Sequence, residues 1–235
     1  MIRFSIFLLI FLSSIALALP NIDDIVLKVD DYRGYRGKSF KFDVKSISYE
    51  QEQKVRANKV EVLFKRSDKV LVRFLEPKRE AGRRILIDEK NMWLSIPTTR
   101  NIIRISPAQR LIGEASNGDV FNTDYNYYYP SLKGEEIIDG KPVLHLTLKE
   151  KDKRATYKRV ELWADKETFK PIKAEHYGNS GKLIKIAYYK SFIKVNNREF
   201  LNEVLMVNPL IQGNYTKVLF DNYRLEDFPD NLFIR

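Results

Sequence analysis

From residue 38 to the end of the chain, apolar and polar side chains alternate with a period of two. In KSFKFDVKSISYE, Phe40, Phe42 and Val44 alternate with Lys41, Asp43 and Lys45, and in KVEVLFKR Val60, Val62 and Phe64 share one side. The same rhythm groups Val70, Val72 and Phe74, then Ile85 with Ile87, then Met92 with Leu94 and Ile96. It resumes with Leu144, Leu146 and Leu148, with Val160 and Leu162, and with Ile184, Ile186 and Tyr188, before two long runs at 198–207 and 215–225. A period of two is that of a strand with one face on a core and the other in water. Turn residues separate the runs at Ser67-Asp68, Asp88 to Asn91, Asp139-Gly140, Gly178 to Gly181 and Asn196-Asn197. About eleven or twelve strands in sequential hairpins predict a mainly β protein built on a single antiparallel sheet.

Two segments break the alternation. In NIDDIVLKVDDYRGYR, Ile22, Ile25, Val26, Val29 and Tyr32 fall on one helical face; Asn21 can cap it, Asp23 and Asp24 suit its first turn, and Gly34 comes after its end. This predicts an amphipathic helix over 22–33. In ISPAQRLIGEASNGD, Ser106 as cap, Pro107 in the first helical position and Gln109 three residues past the cap predict a short internal helix over 107–114. Such a sheet either closes on itself and fills its own interior, or stays open and curved under two short helices and leaves a hollow. Periodicity leaves both open.

The first residues change the setting. MIRFSIFLLIFLSSIALALP has one basic residue, an apolar run from Phe4 to Leu12 and small residues ending at Ala18, which reads as a signal peptide over 1–18 removed on export. The remaining residues, 19–235, form one domain, and the protein is expected in the periplasm. There is no cysteine, so an exported chain of this size is held by packing alone. The net charge of +10, from 41 basic and 31 acidic residues, is spread along the chain rather than gathered on one helix, so nucleic acid is not the expected partner.

Candidate chemistry is sparse. Cysteine nucleophiles are excluded, and the two histidines are His145 and His176. His145 alternates with Leu144 and Leu146 and should lie on the wetter face of its strand. No G-x-S-x-G surrounds a serine and no Gly-rich phosphate loop precedes a helix. Asp23-Asp24 and Asp30-Asp31 read as solvated helix charge, so no enzyme, metal site or cofactor is expected. The stretch SNGDVFNTDYNYYYP, 116–130, turns at Asn117-Gly118-Asp119 and then sets Tyr125, Tyr127 and Tyr129 on one side of an extended segment, suited to a cavity rim or hinge.

FLEP at 74–77, GRRIL at 82–86, MWLSIP at 92–97, IRIS at 103–106, SNGDVFNTDY, YKRVELWAD at 157–165 and the run 171–185 with Gly181-Lys182-Leu183 occur in the order in which they stand in the LolA-like outer-membrane lipoprotein-sorting family, which the chain resembles over about 25–235. The resemblance implies an open half-barrel, an apolar cavity closed by helices, and a periplasmic carrier moving acyl chains of a lipoprotein or lipid from an inner-membrane transporter to an outer-membrane acceptor. Acyl contacts would then come from Val60, Val62, Phe64, Val70, Val72, Phe74, Ile85, Ile87, Met92, Leu94, Ile96, Leu144, Leu146, Leu148, Val160, Leu162, Ile184 and Ile186, in a monomer. Trp93, between Met92 and Leu94, is ambiguous. The alternative is an accessory subunit of an inner-membrane exporter, without lipid cargo.

Overall fold

The computed structural model describes residues 21–35, 37–65, 69–88, 91–99, 101–106, 109–112, 114–116, 119 and 125–234. The expected signal peptide, 1–18, and the turn at Ser67-Asp68 lie outside the described residues.

Thirteen strands form one sheet, and a two-stranded hairpin stands apart from it. In chain order they are β1 (Phe40–Glu50), β2 (Gln53–Lys65), β3 (Lys69–Glu76), β4 (Arg84–Asp88), β5 (Asn91–Ile96), β6 (Asn101–Ile105), the hairpin β7 (Arg110–Ile112) and β8 (Ala115–Ser116), then β9 (Tyr128–Ile138), β10 (Lys141–Glu150), β11 (Arg159–Asp165), β12 (Pro171–Tyr177), β13 (Leu183–Val195), β14 (Arg198–Val207) and β15 (Tyr215–Leu225). The sheet order is β6-β5-β4-β3-β2-β1-β15-β14-β13-β12-β11-β10-β9, antiparallel throughout and unclosed. Two meanders are therefore joined in the middle by β1 and β15, and their free ends, β6 and β9, are opposite edges.

The turns obey the sequence. Asp139-Gly140 has φ of 50° and 76°, and Asn196-Asn197 has 48° and 62°, the paired left-handed residues that tight hairpins need. Gln51-Glu52 uses the same geometry with no glycine, and Gly213 packs on it so closely that a Cβ there would lie 2.9 Å from Gln51 Cα.

One face of the sheet carries the core. Phe42, Val44, Val60, Val62, Val72, Ile85, Leu144, Leu146, Leu148, Leu162, Phe200 and Val218 all point to it. The helix α1 (Ile22–Asp31) lays Ile25, Val26 and Val29 on this concave side; the Asn21 side chain accepts from Asp23 N at 3.2 Å. Sequence spacing carries the helix to residue 33. It stops at Asp31 because Tyr32 turns its carbonyl to Leu201 N, 2.6 Å away, and its hydroxyl to Thr168 O. Gly34 is required next, since a Cβ would stand 2.4 Å from the Phe40 ring.

The structure corrects two expectations. The internal helix over 107–114 does not form: Arg110–Ile112 is a strand paired with Ala115–Ser116. Its capping signals yield a single turn, Gln109 N to Ser106 O at 3.1 Å, and beyond that turn tertiary contacts outweigh local propensity. The inward row of β13 is also displaced by one residue. Lys185, Ala187 and Tyr189 face the core, Ile186 sits on the other face across from Glu175 and Val207, and Ile184 is only partly buried. A shift of one residue reverses every side chain of a strand.

The convex face has a satellite cluster of Leu63, Leu71, Leu86, Phe228 and Phe233, where the C-terminal segment folds back and Lys65 Nζ donates to Phe228 O at 2.9 Å. The displaced row gives a direct check. Leu146→Ala should cost about 2–5 kcal/mol and Ile186→Ala about 1 kcal/mol or less, read from urea midpoints; equal losses would contradict the observed register.

Candidate functional site: the concave face and its cover

Because β6 and β9 are opposite edges, the chain between them must travel from one rim of the concave face to the other. Its described parts touch mid-sheet strands. Glu114 N donates to Thr216 Oγ1 of β15 at 2.9 Å, and Ala115 is fully buried in the core. Asp119 reaches Lys185 of β13, and Tyr125 in the 3-10 turn Tyr125–Tyr127 meets the Tyr189 hydroxyl at 3.3 Å while its N–H donates to Asp30 of α1 at 3.0 Å. These described residues and α1 lie together over the concavity. Among the described residues, the hairpin β7–β8 pairs with no strand of the main sheet.

The face beneath the cover is graded along β1. Phe40 and Phe42 stand at one end, Val44 in the middle, Ser46 and Ser48 at the other. At the first end, Phe40 stacks on Phe64 at 4.7 Å, Phe42 on Tyr223 at 5.2 Å and Phe200 on Tyr223 at 4.7 Å, while Tyr35 meets Phe200 at 4.7 Å with the rings tilted by 51°. Burial drives the Tyr223 hydroxyl far above its ordinary pKa, and it donates to Leu201 O at 2.9 Å. At the other end, Ser48 and Thr216 hydroxyls lie 3.3 Å apart, and Asn58 donates to the buried Glu80 at 2.8 Å, with Arg56 on the other carboxylate oxygen.

Most of the residues expected to contact acyl chains share this face. Val60, Val62, Val70, Val72, Phe74, Ile85, Ile87, Met92, Leu144, Leu146, Leu148, Val160 and Leu162 are buried in one cluster, with Phe64, Leu94 and Ile184 packed against it. Ile96, at the end of β5, is half-exposed, and Ile186 points away. A side chain that no water-sized sphere can touch borders no void that would hold hydrocarbon. Val62, Val72, Ile85, Leu144, Leu146, Leu148 and Leu162 are each 0 % exposed, so this part of the face is filled by the protein itself. Trp93 turns outward, into a shallow groove of the convex face with Leu71, Leu86, Ile102 and Ile234. The three tyrosines do not share a side: Tyr125 is buried, Tyr127 half-buried, and Tyr129 61 % exposed, while Tyr128 is the second buried ring. The 3-10 turn brings positions three apart together, where an extended chain would have aligned positions two apart. Burial lifts the Tyr128 hydroxyl to about 12, and it accepts from Tyr157 N at 3.2 Å.

Alternation gave no hint of the ionic cluster at the heart of the face. Lys185 and His176 are cross-strand partners on the inner sides of β13 and β12, both about nineteen-twentieths buried. The Lys185 ammonium donates to Asp119 Oδ2 and to the Tyr157 hydroxyl, 2.6 Å away, and Tyr157 donates to Asp119 Oδ1 at 2.6 Å. Arg33 donates to the Asp119 carbonyl at 3.2 Å and lies 3.8 Å from Asp30. Burial alone would raise the Asp119 carboxyl, but the charge of Lys185, that of His176 once acid has protonated its ring, and the two hydrogen bonds hold it at about 2. Burial also pushes His176 down to about 4, more than Asp119 can offset, so its ring is neutral; its Nδ1 has no hydrogen-bond partner among the described residues.

His145 lies on the opposite face, as its alternation requires, yet it is buried. It stacks on Trp163 at 4.1 Å, with Nδ1 2.6 Å from Glu136 and Nε2 2.9 Å from Glu161. This cross-strand network covers the convex side of β9–β11 and takes no part in the concavity.

The His176 shift has a defined sign. The unfolded ring takes up a proton below about 6.5 and the folded one only below about 4, so between them the unfolded state binds more protons and stability falls on acidification. The loss should reach on the order of 3 kcal/mol by pH 4. The Asp119 contribution, present above 3.8, is lost only as pH falls on towards about 2. Urea midpoints measured from pH 7 to 4 should fall less steeply for His176→Leu than for the natural chain; parallel curves would contradict a neutral buried ring.

The comparisons with known proteins agree with this geometry. A family model described as an uncharacterized protein matches residues 66–235. A LolA superfamily protein from Nitrosomonas europaea is similar at 29% identity, over 91% of this chain and 97% of its own, with a TM-score of 0.84. A putative outer membrane lipoprotein-sorting protein domain from Vibrio parahaemolyticus shares the fold at 20% identity and TM-score 0.74, covering 91% and 97%. A DUF1329 family protein from Desulfovibrio piger does so at 23% and 0.75, covering 90% and 95%. No curated protein matches the chain. The chain therefore belongs to the LolA-like superfamily, in the family whose model spans residues 66–235.

Proposed function

We propose that the protein is a periplasmic carrier that takes acyl chains of a lipid or lipoprotein between its concave face and its cover, and moves them between the inner and outer membranes. One observation carries the reading: over an apolar concavity lie described residues of the chain between β6 and β9, Glu114, Asp119 and Tyr125, held by hydrogen bonds and, among the described residues, the Asp119–Lys185 ion pair, with no described strand of the cover in the main ladder. A cover attached in this way can leave while the thirteen-stranded ladder stays intact. The described interior is filled, so loading requires the cover and α1 to move outward and the aromatic rings at one end of the face to yield. The driving force is adequate: each buried methylene is worth about 0.8 kcal/mol, so a sixteen-carbon tail withdrawn from water contributes on the order of 10 kcal/mol.

The convex groove beside Trp93 favours a second reading, an accessory subunit that docks on an inner-membrane exporter and keeps its interior for itself. Native mass spectrometry of protein purified from a membrane-containing host separates the two. Copurified lipid supports the carrier, and lipid-free protein recovered with a transporter supports the subunit.

Because the chain has no cysteine, an introduced pair is unambiguous. Glu114→Cys with Thr216→Cys joins cover to sheet where Glu114 N and Thr216 Oγ1 are 2.9 Å apart. The oxidised pair should abolish uptake of a fluorescent fatty acid and reduction should restore it; undiminished uptake by the fully oxidised protein would refute a moving cover.

A further inference from the structure

The carrier reading leaves open what kind of amphiphile is carried, and the ionic cluster bears on that. On the inner face of a lipid-facing sheet every side chain is expected to be apolar, and the neighbours of Lys185 largely are: Ala174, Ala187 and Leu162 are all buried. An ammonium in such a place costs several kcal/mol unless it is paired and hydrogen-bonded. Around it β12 supplies the neutral His176 and the connection between β10 and β11 supplies Tyr157, and the carboxylate on the ammonium comes from the cover, as Asp119. Arg33, at the end of α1, is fixed to the same residue through its carbonyl.

When the cover withdraws, Asp119 leaves with it. Lys185 then stands in an apolar concavity with a tyrosine hydroxyl and an imidazole whose Nδ1 already has no partner among the described residues. A tail with a neutral head would fill the volume and leave that charge uncompensated. A tail with an anionic head would supply both what the hydrocarbon face needs and what the ammonium needs.

We propose that the cargo is an amphiphile with an anionic headgroup, carboxylate or phosphate, whose charge replaces the Asp119 carboxylate beside Lys185, within reach of Tyr157 and Arg33. The inference rests on the carrier reading and narrows it: Asp119 acts as the resident stand-in for the headgroup, so that loading exchanges one anion for another and the charge inside the concavity is the same empty or full.

The test compares heads on identical tails. A fluorescent fatty acid is measured against its methyl ester, and a fluorescent phosphatidylglycerol against the matching diacylglycerol, on the natural chain and on Lys185→Met/Asp119→Leu. The double variant removes both charges together, since a buried pair replaced by apolar side chains of similar size is generally tolerated where a single partner's loss is not; cooperative thermal unfolding verifies its fold. The anionic ligands should bind the natural chain at least about tenfold more tightly than the neutral ones, the difference expected of a charge-assisted contact, and the double variant should bring the ratio close to one.

Equal affinities for acid and ester in the natural chain would overturn the headgroup assignment while leaving the carrier intact. Binding of neither would remove the carrier itself. A preference that survives in the double variant would trace to the overall charge of +10 and also overturn the proposal. Inorganic phosphate alone should leave the unfolding temperature unchanged. A saturable rise, absent from the double variant, would assign the cluster to a free anion and overturn the lipid source.

Discussion

An ammonium group enclosed by hydrocarbon has to be neutralised, and for Lys185 the neutralising carboxylate comes from the part of the chain that closes the concavity. Covering the face and compensating its buried lysine are thus a single event. Among the other described anchors of the connection, Glu114 N on Thr216 and the Tyr125 hydroxyl on Tyr189 are neutral hydrogen bonds of the sort that contribute about 1 kcal/mol each, while Tyr125 N–H on Asp30 and Arg33 on the Asp119 carbonyl each involve one charged group. The Asp119–Lys185 pair differs in kind. It is almost wholly desolvated, supported by Tyr157, and strong enough to hold the carboxyl at about 2 against burial. It is the contact that makes the covered state definite.

The sheet supplies the complementary rigidity. Every strand from β5 to β10, in sheet order, has a partner on both sides, and the first and last strands of the chain, β1 and β15, meet in the centre, where long ladders run. Grading along the face adds direction. Stacked aromatic rings fill the end near Tyr35, hydroxyls and the Asn58–Glu80–Arg56 group line the other, and the ionic cluster lies on the far arm of the curve, on β12 and β13. An amphiphile entering such a space meets a polar anchoring point to one side of an oily floor.

Most of the scaffold was legible in the sequence because strand alternation is local. β14 and β15 fall on the two runs 198–207 and 215–225, the inward rows of β1–β5, β10 and β11 match the apolar positions, and Asn21 caps α1 as its place before Ile22 requires. The failures have physical reasons. Ser106, Pro107 and Gln109 are helix-start signals that act over a single turn, and beyond them strand pairing and a contact to Thr216, a hundred residues away, overrode them. Tyr125, Tyr127 and Tyr129 have the spacing of a strand but lie in and beside a 3-10 turn, which pairs Tyr125 with Tyr128. On β13 the apolar Ile186 pointed to the wrong face because the inward positions hold Lys185 and, after Ala187, Tyr189, while Ile184, beside the register shift at His176/Tyr177, still packs against the core.

The mismatch on β13 carries information. A sequence betrays its register through the agreement of hydrophobicity with facing, and the agreement breaks where another requirement outweighs packing. Nothing in the neighbourhood of residue 185 announces this, since its partners stand at 33, 119, 157 and 176 and come together only in the folded sheet. A lysine placed inward for stability alone has an obvious improvement in leucine or methionine, which would remove the desolvation cost and the dependence on a distant carboxylate. The opposite arrangement, in which ion pair, tyrosine and histidine are kept inside an otherwise oily face, makes sense where the face must at some stage do without its own carboxylate. The disagreement between pattern and facing therefore marks a position where an ionic requirement outweighs packing, and it supports the proposed exchange of anions at Lys185.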